Sequence, residues 1–273
     1  MDFIEILKAI LFGIVEGITE WLPISSTGHM IILDELVKLN VSDAFREMFL
    51  VVIQLGAILA VVVLYFKKLW PFSTKEKFFI KKDTFGMWFK ILAACIPAAI
   101  VGVFFDDKIN ELFYNYQTVA AMLIIFGVLF IVIENYNKGR KPVMSSIAEI
   151  TWKAAIGVGL FQLIAAVFPG TSRSGATILG GILLGMSRTT AAEFTFFLAV
   201  PVMAGASLLK LVKFGLAFSA SEAVILIVGM VVAFVVSIIV IKFLLNYIRR
   251  NDFKAFGWYR IVLGVLVILF FSL

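Results

Sequence analysis

Apolar positions run almost unbroken along this chain, and the interruptions define its elements. Residues 3–22 are apolar at helical spacing but carry Glu5, Lys8, Glu16 and Glu20. That pattern is too polar for a lipid-facing helix and suits one reaching half-way into a membrane. Pro23 ends or bends it. Ser25, Ser26, Thr27 and Gly28 then read as a short polar loop before a second apolar segment, 29–39, too short to cross. Non-helical backbone at membrane depth is tolerated only where it is buried in protein or lines a wet cavity, so this stretch predicts a re-entrant hairpin. Spans follow at 48–66, with Gln54 and Gly56, at 88–105, with Pro97 as a kink, and at 119–133.

The pattern then begins again. Residues 151–168 are apolar, 169–175 form the polar loop P-G-T-S-R-S-G, and 176–186 make a short helix of small residues. Further spans are predicted at 194–212, 223–245 and 257–271. Shifted by 146 residues without a gap, the chain matches itself at Gly13 and Gly159, Pro23 and Pro169, Ser26 and Ser172, and Glu47 and Glu193. Matches of Pro, Ser, Gly and Glu at one offset point to an internal repeat.

Composition sets the class. Hydrophobic residues make up 62% and charged residues 15%, with a mean hydropathy of +1.06. That predicts an all-α polytopic membrane protein in one compact domain. The +6 charge is not a nucleic-acid signature, because the basic residues lie in a few loops. A single cysteine, Cys95, excludes a disulfide framework and a Cys-rich metal site. The N-terminus lacks a basic n-region, so no cleavable signal peptide is expected.

Loop charge predicts orientation. Segments 67–87, 134–153 and 246–256 are rich in Lys and Arg, whereas 106–118 carries one lysine and 214–222 none. By the positive-inside rule the first three are cytoplasmic. The spans 48–66 and 194–212 then run in opposite senses, so each hairpin must return to its own side. The expectation is six spans plus two re-entrant hairpins, in two inverted repeats, about 1–118 and 147–273, joined through the span at 119–133.

Inverted repeats with broken helices bring their polar loops together near the midplane. That places Glu16, Glu20, Ser25, Ser26, Thr27 and His29 opposite Ser172, Arg173 and Ser174. Arg173 is a planar donor suited to phosphate oxygens. Glycine-flanked hydroxyls at a helix start form an anion nest. Glu16 and Glu20, one turn apart, suit a hard divalent cation shared with substrate phosphates. A serine or histidine beside a base is a candidate nucleophile. Together these describe a diphosphate or phosphate-ester site for an amphiphilic substrate. Plainer readings stand beside them: the glutamates bind protons or merely pair with Arg173, His29 caps a helix, the hydroxyls only cap the helix that follows, and Gln162 packs helices. Glu193, Arg188 and Gln54 line either a cavity or a packing contact.

The motifs E-G-I-T-E-W-L-P-I-S-S-T-G-H at 16–29 and P-G-T-S-R-S-G-A-T at 169–177 resemble those of the undecaprenyl-diphosphate phosphatase family of the bacitracin-resistance type. The similarity extends through V-V-I-Q-L-G at 51–56 and A-A-E-F-T-F-F-L-A-V-P at 191–201. The resemblance implies hydrolysis of undecaprenyl diphosphate to the monophosphate and inorganic phosphate, recycling the lipid carrier of cell-wall synthesis. It also implies a bacterial plasma-membrane enzyme whose site opens outward and needs Mg²⁺ or Ca²⁺. Glu16 and Glu20 would hold the cation or act as base. Ser26 would be the nucleophile, with His29 assisting or substituting for it. Arg173 would hold the diphosphate, with Ser25, Thr27, Ser172 and Ser174 nearby. Besides lipid, the only partner suggested is a second copy of the chain, since Gly180, Gly181 and Gly185 would allow close packing or dimers. A transporter or flippase built on the same site is the alternative. The acid-phosphatase-like lipid phosphatases need two histidines, and this chain has one.

Overall fold

A computed structural model describes residues 3–74, 79–215 and 218–272. Lys75 and Lys77 of the first basic segment lie outside these. The described residues are helical, with two isolated bridges and no named strand. In order the helices are α1 (Phe3–Thr19), α2 (Ser26–Leu36), α3 (Asp43–Val52), α4 (Gln54–Leu64), α5 (Phe66–Leu69), α6 (Lys82–Phe104), α7 (Asp106–Phe113), α8 (Tyr116–Tyr136), α9 (Trp152–Val167), α10 (Arg173–Leu183), α11 (Arg188–Phe214), α12 (Ala220–Ile248) and α13 (Lys254–Ser272). Asp43–Leu64, α6, α8, α11, α12 and α13 are each long and apolar enough to cross a membrane. The chain is a multi-pass all-α membrane protein, and the six spans fall where the apolar runs predict them.

The loops differ from expectation. Ser26–Gly28 and Arg173–Gly175 are not loop but the first turns of α2 and α10. The reason is capping: Ser25 Oγ accepts from the Gly28 N–H at 3.3 Å and Ser172 Oγ from the Gly175 N–H at 3.1 Å. Both caps sit in the left-handed region, at φ 76° and 69°, a strain of about 1–3 kcal/mol each for non-glycine residues. The helix Asp106–Phe113 was likewise expected as a loop.

Each hairpin closes on itself. The start of α1 meets the end of α2, where Lys8 Nζ donates to the Lys38 carbonyl and the Asn40 N–H donates to Glu5. At the other end of the molecule the segment before α9 meets the turn after α10, with the Val143 N–H on the Gly185 carbonyl at 2.9 Å. That second end also gathers Lys68 on Glu193 and the buried Glu134, which accepts from Arg188 and from the Phe253 N–H. The first end gathers Arg46 with Asp34 and Asp43, and Lys213 with Asp107.

Packing exchanges helices between the halves. In α1, Gly13 and Gly17 admit the backbone of α12: a Cβ would lie 2.6 Å from the Gly229 oxygen and 2.9 Å from that of Ala233. In α9, Gly159 admits α6, at 2.5 Å from the Ala94 oxygen. Gly127 of α8 and Gly257 of α13 face each other in the same way. Small residues let apolar helices approach closely where burial of oil against oil gives little. Gly56 is the tightest of these, 2.0 Å from the Met230 oxygen, next to the break between α3 and α4. Gly180 packs on Phe161, Gly181 on Ala191 and Gly185 on Val143. These three therefore serve close packing inside the chain.

Candidate active site

The turn between α1 and α2 carries Glu20 to the middle of the molecule. Its carboxylate is 6% exposed as a residue and takes one donor on each oxygen. Ser26 Oγ donates to Oε2 at 2.7 Å, and Arg173 Nη2 donates to Oε1 at 2.8 Å. Ser174 Oγ donates to the Glu20 carbonyl at 3.0 Å, so α10 holds both ends of the residue. Arg173 is itself steadied by Nη1 on the Thr195 carbonyl, while its Nε has no partner. Thr195 Oγ1 donates to Thr177 Oγ1, which donates to the Arg173 carbonyl. The predicted juxtaposition of the two motifs is therefore present.

Glu16, one turn before Glu20, is fully buried, and neither carboxylate oxygen has a hydrogen-bond partner. Gln162 of α9 is also buried with both amide atoms unpartnered. A carboxylate without a donor at this depth is costly unless a proton or cation meets it. The described residues hold no group of three or more His, Cys, Asp and Glu side chains that could bind a metal.

His29, on the first turn of α2, is clamped at both ring nitrogens. Nδ1 lies 2.7 Å from the Ser25 carbonyl and Nε2 lies 2.7 Å from the Tyr259 hydroxyl, with the two rings stacked 6° from parallel. The next residue of α13, Arg260, is fully buried and donates to four carbonyls: Pro23 on one loop, Gly170 and Thr171 on the other, and Met122 of α8. One guanidinium thus ties both polar loops together. Neither Tyr259 nor Arg260 stood out in the sequence reading. Arg260 was visible there as a charge inside the predicted span 257–271, which is a functional signal in its own right.

Other candidates lie elsewhere. Glu193 is paired with Lys68, and Arg188 with Glu134, both away from Glu20. Thr27 is half-buried on α2 beside Ser26. At the starts of α2 and α10 the two segments line up differently from the offset of 146. The matching caps are Ser25 and Ser172, an offset of 147, because Pro169-Gly170-Thr171-Ser172 is one residue longer than Pro23-Ile24-Ser25. Ser26 therefore corresponds to Arg173, and Thr27 to Ser174.

Six apolar helices around a buried carboxylate, met by a half-buried serine and a half-buried arginine, define a multi-pass membrane protein with a polar centre. The chain belongs to the bacitracin resistance protein BacA family, whose model matches residues 9–266. It is 68% identical over 272 residues to a protein of Desulfitobacterium hafniense named undecaprenyl-diphosphatase, covering 100% of this chain and 98% of that one. It is 67% identical to undecaprenyl-diphosphatase 1 of Clostridium acetobutylicum, over 99% of each chain. A protein of Enterococcus faecalis named undecaprenyl-diphosphatase is 60% identical over 98% of each.

Proposed function

We propose that this chain hydrolyses undecaprenyl diphosphate to undecaprenyl phosphate and inorganic phosphate, with the site held by Glu20, Ser26 and Arg173. The observation that carries the reading is the Glu20 carboxylate, which accepts from the Ser26 hydroxyl and the Arg173 guanidinium on separate oxygens. The high identity to full-length proteins named undecaprenyl-diphosphatase supports the substrate. Phosphoryl transfer asks a protein chiefly to position its groups and to neutralise charge. An incoming diphosphate competes with Glu20 for Arg173 and matches its paired N–H groups. As Arg173 turns to phosphate, Glu20 is released to take the Ser26 proton. Ser26 Oγ then bonds to the terminal phosphorus, the phosphoanhydride bond breaks, and the lipid monophosphate leaves. Water cleaves the phosphoserine, returning the proton to Oγ.

The residues fit a divalent cation, Mg²⁺ or Ca²⁺, at Glu16 in particular, since its two oxygens are the orphaned ones and those of Glu20 already have donors. Such an ion would supply neutralisation of the diphosphate charge.

The setting is the bacterial plasma membrane, with the basic end of the molecule in the cytoplasm and the site served from the outer side. The hairpins are re-entrant in this reading, and the chain is two inverted repeats. The mutual packing of α8 and α13 through Gly127 and Gly257 favours counting α8 as the last helix of the first repeat rather than as a connector.

The test is phosphate release from undecaprenyl diphosphate by the purified protein, with and without EDTA, beside Ser26→Ala and Arg173→Lys. Release that depends on the cation and on both side chains is expected. Tight binding of the lipid without release would point to a carrier.

A further inference from the structure

The chain has one histidine, and its ring is held by a residue outside both polar motifs. A carbonyl oxygen can only accept, so the Ser25 carbonyl 2.7 Å from Nδ1 requires a proton on that nitrogen. Glu20 directs its oxygens to Ser26 and Arg173, and no carboxylate pairs with His29 among the described residues. The uncharged ring therefore leaves Nε2 as a lone-pair acceptor, and the Tyr259 hydroxyl 2.7 Å away is its donor. The stacked Tyr259 ring fixes the plane of the imidazole, and the neighbouring Arg260 fastens that turn of α13 to both loops. The Ser25 carbonyl places the proton on Nδ1, and α13 sets the ring plane and the partner of Nε2.

We propose that Tyr259 is the positioning residue of His29: it holds the imidazole as the Nδ1–H tautomer and caps Nε2 until phosphate arrives. The Tyr259 O–H turns from Nε2 to a phosphate oxygen with no net proton transfer. That leaves the Nε2 lone pair open to the proton of the water that cleaves the phosphoserine. The inference rests on the phosphatase reading above and adds His29 to its site.

The single histidine makes the test direct. Protein labelled with ¹⁵N only in histidine, in lipid bilayers, gives the resonances of one imidazole. Wild type is expected to show a protonated Nδ1 and an unprotonated Nε2. Tyr259→Phe, which keeps the stacking ring, is expected to shift the Nε2 resonance and mix the tautomers. The same variant should lower kcat about tenfold with KM within about twofold. In a His29→Gln background, Tyr259→Phe should cost nothing further. Protonation of both nitrogens in wild type, or an unchanged spectrum in Tyr259→Phe, would overturn the proposal. So would a rise in KM alone, which would make Tyr259 a substrate contact. The spectrum does not depend on turnover, so a protein that released no phosphate would defeat the functional reading and leave the histidine result standing.

Discussion

Ser26 and Arg173 occupy the same position in two separate helices, each the first residue after a serine cap of positive φ, and they grip opposite oxygens of Glu20. The pairing makes Glu20 the shared centre of two similar loops. One helix start contributes a hydroxyl there and the other a guanidinium.

Breaking this cluster on its two sides should have different effects. Ser26→Ala removes one small donor and should leave the fold intact while lowering phosphate release by about 100-fold or more. Rapid quench with labelled substrate should trap a phosphoserine at residue 26; turnover persisting in Ser26→Ala would give the attack to water. Arg173→Ala strands a buried carboxylate, at a cost of about 3–5 kcal/mol. Its thermal midpoint in detergent should therefore fall well below that of Ser26→Ala.

Glu16→Gln separates chemistry from stability. The amide keeps the shape and removes a buried charge that has no donor. Without divalent cation, the variant should unfold at or above the wild-type temperature, because an unpaired buried carboxylate costs more than an amide. Its phosphate release should no longer respond to added Mg²⁺ or Ca²⁺. A full cation response in Glu16→Gln would move the ion elsewhere.

Arg260 should govern stability more than any other single side chain outside the apolar core. Arg260→Met leaves four carbonyls without their donor, each worth about 1–3 kcal/mol if it stays dry. Loss of monodisperse protein in mild detergent is the expected result. Arg260→Lys should recover only part of it, since one ammonium cannot cover acceptors divided between Nη1 and Nη2. Equal behaviour of Met, Lys and wild type on size exclusion would refute the clasp.

The helix contacts can be tested with methyl groups. Gly56→Ala places a Cβ about where the Met230 oxygen lies, 2.0 Å away, so α4 and α12 must separate. A cost of about 1–3 kcal/mol follows. Gly205→Ala, with nothing within 4 Å of the added carbon, should stabilise α11 slightly, by about 0.5–1 kcal/mol. Thermal midpoints of the two variants should move in opposite directions.

Much of this was readable in the sequence because membrane depth makes polarity conspicuous. Glu16, Glu20 and Arg173 announce themselves in apolar surroundings, and the six spans follow from length alone. Capping by the serines was one of the readings, but which serine caps and which starts the helix is not legible until φ is known. The offset of 146 paired Ser26 with Ser172 because one extra residue, accommodated beside Gly170 at φ 89°, shifts the register only after the proline. Tyr259 carries no sequence signal, since an aromatic near the start of a span is commonplace. Arg260 did carry one, hidden because the span around it was apolar enough to read as ordinary.

The arginine clasp also bears on the order in which this protein becomes active during synthesis. Both polar loops, α1 and α9–α11 are already made when Arg260 leaves the ribosome, and every group around Glu20 precedes it in the chain. Nascent chains stalled before α13 would carry the full set of reactive groups with nothing to lock them together. Lipid diphosphates at the insertion site would thus meet a complete but unassembled centre, and hydrolysis would begin only once the last described helix had docked.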